Sequence, residues 1–312
     1  MSEKDKHVIS FIGIGAQKSG TTWLSERLSE LPGVSTPPIK ELHYFDRDES
    51  YPSINALAEK NPTKRMRGLL RRSRALDRVI NRLKGLTLRK ALFLRRWYFC
   101  KVNDKWYLGL FKTLRGIRGE ITPAYSILKP EDIRRMFTLA PHARIIFILR
   151  NPIDRAWSHY RHVNKTNRKF KFKDEPVQNV IKFMDSNRQH LRNNYIRTID
   201  EFAKIYPKKQ ILVCFYDSIT DHPKKLLAEV TNFIGADSKH IDSHCNLNAR
   251  ANVSPNYQMP DIVRNHLKMK YKDMMETLSI RYGGYCTKWY AETYPEEDVS
   301  ADNLGYGATV DL

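Results

Sequence analysis

The sequence predicts an α/β fold in which a central parallel sheet is flanked by helices. Short apolar runs alternate along the chain with stretches of helical periodicity, which is typical of a parallel sheet covered by helices. The run Arg144–Leu149 does not alternate between polar and apolar residues, so we expect a strand that is buried on both faces. The 312 residues are enough for a substantial core. We therefore expect a single domain over residues 1–312, with an insertion at about residues 47–118.

The predicted elements follow one another as strand, loop and helix. The helix after Arg144–Leu149 begins at Pro152, because proline favours the first helical position and Asn151 can cap the helix. The remaining elements are a first strand at 8–14 with its helix at 21–31, a third strand at 210–215 with its helix at 223–234, and further helices at 176–206 and 260–279.

The composition excludes several classes of protein. Lysine and arginine number 54 against 34 acidic residues, which gives a formal net charge of +20, and 41% of the residues are hydrophobic, as in globular proteins. No apolar run approaches the roughly 20 residues of a membrane-spanning helix, and the first residues lack the apolar core of a secretory signal. We therefore expect a cytoplasmic protein. The four cysteines lie far apart without C-x-x-C spacing, so neither a zinc site nor a disulfide framework is predicted.

The insertion holds the strongest change of composition. Residues 64–101 contain 14 lysines and arginines and a single acid, Asp77. Apolar residues recur there at helical spacing among the arginines, which predicts a basic amphipathic helix. This helix either packs on the domain with its basic face in water, or contacts an anionic membrane surface, an acidic acceptor or another polyanion. Nucleic acid ranks last among these partners, because no recognition motif accompanies the charge.

A glycine-containing loop stands between the first strand and the first helix. The spacing from Gly15 to Gly20 fits G-x-x-x-x-G, and the backbone amides at such a position attract a phosphate. The loop departs from the nucleotide triphosphate P-loop, because Thr21 stands where that motif has its lysine and Lys18 lies inside the loop instead. Because the loop keeps the glycine spacing but not the lysine position, the expected fold is P-loop-like. At the end of a second strand, Arg150 stands where ligands of open α/β sheets gather.

Two motifs resemble the nucleotide-binding signatures of sulfotransferases that use 3′-phosphoadenosine 5′-phosphosulfate (PAPS). Residues 17–24, QKSGTTWL, are similar to the 5′-phosphosulfate loop, and residues 149–160, LRNPIDRAWSHY, are similar to the 3′-phosphate motif. Two further segments, KELHYF at residues 40–45 and GEITPAY at residues 119–125, resemble heparan-sulfate-type and bacterial sulfotransferases. The resemblance implies PAPS as donor, adenosine 3′,5′-bisphosphate (PAP) as product, and an acceptor with a hydroxyl or amine.

The resemblance also assigns roles to individual residues. It implies that Lys18 contacts the bridging oxygen and the sulfuryl group, and that Trp23 stacks on adenine. The 5′-phosphate is assigned to Ser19, Gly20, Thr21 and Thr22, and the 3′-phosphate to Arg150, Ser158 and the late-loop residue Arg250.

The general base is sought among three residues. Glu41 and His43 lie on one stretch and both can accept a proton, and the heparan-sulfate-type resemblance favours Glu41, with His43 as the alternative. Glu120 is a weaker candidate, because Ile121 stands where that type has a lysine. The acids and histidines show no metal-ligand spacing, so no metal is predicted.

Three functions follow from these patterns. A PAPS-dependent sulfotransferase is the first. A P-loop-type nucleotide phosphotransferase is the second, and a non-catalytic protein that binds polyanions or membrane surfaces through residues 64–101 is the third. Trp97, Trp106 and Tyr107 are candidates to line an acceptor pocket, but the sequence fixes neither the acceptor nor the oligomeric state.

Overall fold

The computed structural model describes residues 8–53, 55, 57, 87–165, 172–248, 257–296 and 309–311. Its centre is a six-stranded sheet with the spatial order β2-β3-β1-β4-β5-β6. The strands are β1 (Phe11–Gly15), β2 (Val34–Ser35), β3 (Ile117–Ile121), β4 (Arg144–Leu149), β5 (Ile211–Phe215) and β6 (Thr309–Asp311). The first five strands pair in parallel, and β6 pairs antiparallel to β5. Parallel pairing brings the carboxyl ends of β3, β1, β4 and β5 to one edge of the sheet.

Helices cover both faces of this sheet. The longer ones are α1 (Thr21–Glu30), α2 (Leu88–Phe99), α3 (Asp104–Phe111), α4 (Pro130–Leu139), α5 (Pro152–Lys165), α6 (Val177–Met184), α7 (Asn187–Asn193), α8 (Tyr195–Ala203), α9 (Pro223–Phe233), α10 (Asp261–Tyr282) and α11 (Gly284–Thr293). Single turns of α-helix lie at Ser218–Asp221 and Ile241–His244, and 3₁₀ turns at Pro123–Ile127, Phe172–Asp174, Lys208–Gln210 and Ser238–His240.

The apolar core lies in two layers, one on each face of the sheet. On one face α1 and α9 pack against the strands through buried side chains such as Leu28 and Leu227. The larger layer on the other face includes Trp106 of α3, Tyr195 of α8 and Leu267 of α10. The strands β1 and β5 are buried along their whole length, which explains their continuous apolar sequences.

The predicted α/β fold is confirmed, and the predicted strands agree with the structure to within about three residues. Strand β3 was not predicted, because Arg118, Gly119 and Glu120 give it a polar sequence. Glycine is needed at position 119, since a Cβ atom there would lie 2.4 Å from the Phe11 carbonyl oxygen. The long helix expected at 176–206 is three shorter helices.

The predicted insertion is described only in part. Helices α2 and α3 lie within it, whereas the amphipathic repeat predicted upstream of Thr87 lies outside the described residues, as does Arg250. Among the helices that the structure describes, none has the length and apolar character needed to cross a membrane.

Candidate active site

The glycine loop, residues 15–20, joins β1 to α1 at the carboxyl edge of the sheet. Lys18 and Gly20 adopt left-handed conformations with φ of 77° and 81°. A Cβ atom on Gly20 would lie 2.2 Å from Cδ1 of Ile219, so a larger residue would not fit there. Ser19 is fully buried, and its hydroxyl has no hydrogen-bond partner among the described residues. An orphaned hydroxyl at the start of a helix is suited to an anionic ligand.

Arg150 reaches this loop from the end of β4. Its Nη1 donates a hydrogen bond of 2.9 Å to the Lys18 carbonyl oxygen, and its Cζ lies 4.2 Å from the ring centroid of Tyr216. Tyr216 follows β5, and its amide donates to the Leu149 carbonyl oxygen. The structure therefore brings together Lys18 and Arg150, which are 132 residues apart. The ring of Tyr216 was not foreseen from the sequence, although its place at a strand end is a usable signal.

Two other residues assigned to the nucleotide are buried. Ser158 is 5% exposed on α5. Trp23 is 3% exposed within the core layer of α1 and α9, and its indole N–H donates to the Leu247 carbonyl oxygen at 3.3 Å. Little of the Trp23 ring is open for stacking, and its contact with adenine stays a prediction.

The 40–46 segment contacts the start of α1, directly after the glycine loop. The Lys40 Nζ donates to Oγ1 of Thr22 at 2.5 Å and lies 4.0 Å from Oε1 of Glu41. One ammonium group therefore connects the start of α1 to the Glu41 carboxylate. Thr22 at the start of α1 and Glu41 thus lie close together at one edge of the sheet.

Glu41, His43 and Asp46 form a chain of alternating charge. The His43 Nδ1 lies 2.7 Å from Oδ2 of the fully buried Asp46, and its Nε2 lies 3.7 Å from Oε2 of Glu41. Burial disfavours the charged ring, but hydrogen bonds to Asp46 and Glu41 outweigh it and raise the pKa of His43 to about 10. Burial also acts to raise the pKa of Glu41, but the hydrogen bond from His43 and the Lys40 charge lower it overall. At neutral pH, His43 is an imidazolium and Glu41 a carboxylate. Asp46 was not predicted as part of the site, because it follows directly after the segment 40–45 that resembles known sulfotransferases.

The backbone of this segment is held in an unusual conformation. Glu41 and His43 have φ of 59° and 52°, which non-glycine residues adopt at a cost in free energy. The intervening Leu42 amide donates to Oγ1 of Thr122 at 3.0 Å, and the Tyr44 amide donates to the Tyr125 hydroxyl at 2.9 Å. These two side-chain acceptors stabilise the strained backbone.

Glu120 lies beneath both acceptors. Its carboxylate accepts hydrogen bonds from the hydroxyls of Tyr107 at 2.5 Å, Thr122 at 2.6 Å and Tyr125 at 3.2 Å. The hydroxyls of Thr122 and Tyr125 donate their protons to Glu120. Their oxygen lone pairs are therefore available to accept hydrogen bonds from the amides of the 40–46 segment. Burial, partly offset by these hydrogen bonds, raises the pKa of Glu120 to about 7. Glu120 is 2% exposed, so it supports the site from behind rather than facing an acceptor.

A second buried group stands behind the glycine loop. The fully buried guanidinium of Arg155 donates to the side-chain oxygens of Gln189 and Asn193, and to the Gln17 carbonyl oxygen at 3.5 Å. All three acceptors are uncharged, so the charge of Arg155 contributes a positive potential behind the loop. Arg155 lies within the 149–160 motif, but the sequence analysis assigned it no role.

The three aromatic residues expected at an acceptor pocket lie elsewhere. Trp97, Trp106 and Tyr107 are at most 4% exposed, and their rings pack on one another and on Tyr44. These three side chains belong to the core, because neighbouring rings cover their apolar surface. Among the described residues, no cluster of three or more His, Cys, Asp or Glu side chains is arranged to hold a metal ion.

The sequence is similar to those of known proteins. Residues 10–288 match the family model of the sulfotransferase domain. Heparan sulfate glucosamine 3-O-sulfotransferase 6 of Mus musculus is 28% identical over 167 residues, which is 51% of this chain and 48% of that protein. Its Homo sapiens counterpart is 27% identical over 148 residues, 46% of this chain and 43% of that protein. The chain thus spans about half the length of these curated relatives.

The fold agrees with the same family. The crystal structure of a sulfotransferase from Alicyclobacillus acidocaldarius superposes with a TM-score of 0.56 at 20% identity, covering 94% of this chain and 98% of that one. This likeness confirms the expected P-loop-like fold. The family resemblance stated from the glycine loop and the Arg150 motif is also confirmed. Because the family model covers most of its length, the chain belongs to the sulfotransferase domain family.

Proposed function

We propose that the protein transfers a sulfuryl group from PAPS to a hydroxyl or amine of an acceptor, with Glu41 as the general base. The observation that carries the proposal is the Lys40 bridge between Thr22 and Glu41. It places an ionised carboxylate next to a loop suited to an anionic donor. An in-line transfer requires a base near the donor site, so that one acceptor hydroxyl can reach both.

The residues of the loop fit the donor. The buried Ser19 hydroxyl without a partner, the amides at the start of α1 and the ammonium groups of Lys18 and Lys40 together favour a phosphosulfate. When bound, PAPS supplies the activated sulfuryl group and a leaving phosphate. Lys18 stabilises the charge that develops on the bridging oxygen, and Arg150 with Ser158 holds the 3′-phosphate.

Glu41 is a better base than His43 because of its charge state. His43 holds its proton at neutral pH through its ion pairs with Asp46 and Glu41, so it has no lone pair to offer. Glu41 is ionised and 39% exposed, and it can take the proton of an acceptor hydroxyl. As the new oxygen–sulfur bond forms, the bond from sulfur to the bridging oxygen breaks and its electron pair leaves with PAP. His43 and Asp46 orient the Glu41 carboxylate.

Calorimetric titration with PAP tests the donor site, with 5′-AMP and magnesium-ATP as competing ligands. We expect selective binding of PAP that Lys18→Ala and Arg150→Ala weaken. Lys239→Ala is the matched control, since Lys239 is an exposed lysine paired with Asp237 beyond α9. Preference for magnesium-ATP would overturn the proposal in favour of a phosphotransferase. With PAP binding established, a screen of carbohydrate, lipid-linked and small-molecule acceptors identifies the second substrate.

A further inference from the structure

Helix α2 carries an exposed apolar face that the proposed reaction does not use. Leu88 is 79% exposed, Leu92 45% and Phe99 74%. At about 100° per residue, these three side chains lie within about 40° of one another around the helix axis. They therefore lie along one side of the helix, called here the α2 stripe.

The orientation of this stripe is fixed by the opposite face of the helix. Phe93 and Trp97 are buried, and the Trp97 ring packs on Trp106 with centroids 5.4 Å apart. The Trp106 indole N–H donates to the Arg96 carbonyl oxygen at 2.7 Å, and the Arg96 side chain lies over Gly109 of α3. These contacts hold α2 on the domain, so the stripe cannot rotate into the core.

The charge around the stripe has one sign. Residues 87–101 contain five basic residues and no acid: Arg89, Lys90, Arg95, Arg96 and Lys101. Arg95 lies within the stripe and is exposed, and Arg89 is exposed at its flank. Large apolar side chains surrounded by lysine and arginine are typical of helices that lie in the interface of an anionic membrane.

We propose that the α2 stripe docks on an anionic membrane surface. A soluble polyanion would match the arginines but would leave Leu88 and Phe99 in water. A second copy of the chain would place Arg89 and Arg95 against the same residues of its partner, and like charges would oppose that contact. A lipid surface satisfies both properties, because its acyl boundary covers the stripe and its headgroups pair with the cations.

The first turn of α2 lies close to the segment that carries Glu41. A cavity of about 200 Å³ at the first turn of α2 is lined by Arg89, Phe93 and Pro38. Pro38 precedes Glu41 by three residues, so their Cα atoms are at most about 11 Å apart.

Vesicle binding by the full chain tests the proposal and needs neither donor nor acceptor, so its failure leaves the proposed reaction untouched. Cys100 is exposed next to Phe99 and accepts an environment-sensitive thiol dye, with Cys245→Ser to limit labelling elsewhere. We expect co-sedimentation with vesicles of equal parts phosphatidylcholine and phosphatidylglycerol but not with pure phosphatidylcholine. The dye emission should shift to shorter wavelength when the stripe enters the interface.

The Leu88→Ser/Phe99→Ser variant should bind the anionic vesicles at least about tenfold more weakly, since each apolar side chain contributes to insertion. The matched control is Met269→Ser/Ile280→Ser on α10, where the side chains are 76% and 77% exposed, and it should bind as the wild type does. Arg89→Glu/Arg95→Glu should also weaken vesicle binding by more than about tenfold, because each basic residue near the surface strengthens binding about fivefold.

Three results would overturn the proposal. The first is no binding to anionic vesicles. The second is binding without a dye shift and without loss in the serine variant, which would mean that charge alone attracts a polyanion. The third is a dimer in the absence of vesicles that the serine variant abolishes, which would mean that a second copy covers the stripe.

Discussion

The change Glu120→Gln tests whether the buried carboxylate positions Glu41. Glu120 accepts three hydroxyl protons, and two of these hydroxyls, from Thr122 and Tyr125, hold the amides of the 40–46 segment. Glutamine has one accepting oxygen, so its NH₂ group faces at least one hydroxyl as a second donor. That hydroxyl must turn its proton away, and a buried anchor of the segment is weakened. A hydrogen bond to a charged group contributes about 1.5–3 kcal/mol, so kcat should fall about ten- to a hundredfold.

The same change should leave the folded state intact. Burial raises the pKa of Glu120 to about 7 from a usual value of 4.5. At pH 8 the folded wild type therefore carries an unfavourable buried charge, which costs about 3 kcal/mol at 1.36 kcal/mol per pH unit. Removing that charge offsets the lost hydrogen bonds, so the melting temperature of Glu120→Gln at pH 8 should equal or exceed that of the wild type. Between pH 7 and 4.5 the folded wild type binds a proton more readily than the unfolded chain. Its stability therefore rises as pH falls, and the variant lacks this rise.

The assay is kcat and KM measured across pH 7, together with thermal melting at each pH. Wild-type kcat should rise as Glu120 ionises, whereas the variant should lose that dependence and keep its KM for the donor. Thr122→Val should reproduce the loss of kcat, and Thr122→Ser, which keeps the hydroxyl, should not. A wild-type turnover rate of Glu120→Gln on both sides of pH 7 would show that Glu120 does not position Glu41.

Three further outcomes follow from the site. Glu41→Gln should lower kcat by at least about a hundredfold with donor affinity unchanged, and a normal rate would place the base elsewhere. Arg150→Ala should weaken PAP binding about ten- to a hundredfold by calorimetry, while Tyr216→Phe, which keeps an aromatic ring, should bind normally. The pKa of His43 is raised to about 10 in the folded state. Its ion pairs therefore stabilise the fold fully below the unfolded pKa near 6.5, and this stabilisation is lost as pH rises through 10. His43→Asn should remove that part of the alkaline fall in melting temperature; an unchanged slope would contradict the ion pairs seen for His43.

The sequence by itself determined the elements whose cause is local. The strands β1, β4 and β5 were predicted because a run buried on both faces must be apolar throughout. The glycine loop was predicted from the spacing of Gly15 and Gly20, and the structure gives the local reason for Gly20, whose φ of 81° is left-handed. Lys18, Glu41 and Arg150 were selected as candidates because each stands in a short motif that resembles a sulfotransferase segment.

Only the tertiary structure decided how these parts meet. The chain passes through the short edge strand β2 between Thr22 and Lys40, and the fold brings these two side chains into hydrogen-bond contact. The Leu42 amide donates a hydrogen bond to Thr122, which is 80 residues away in sequence. The polar sequence of β3 concealed a buried strand, because Glu120 is satisfied by hydroxyls from other elements. Burial and charge pairing of this kind depend on the order of strands in the sheet. The spacing of residues along the sequence indicates local backbone structure. The protonation states of Glu41, His43 and Glu120 are instead set by neighbouring groups that the fold brings together.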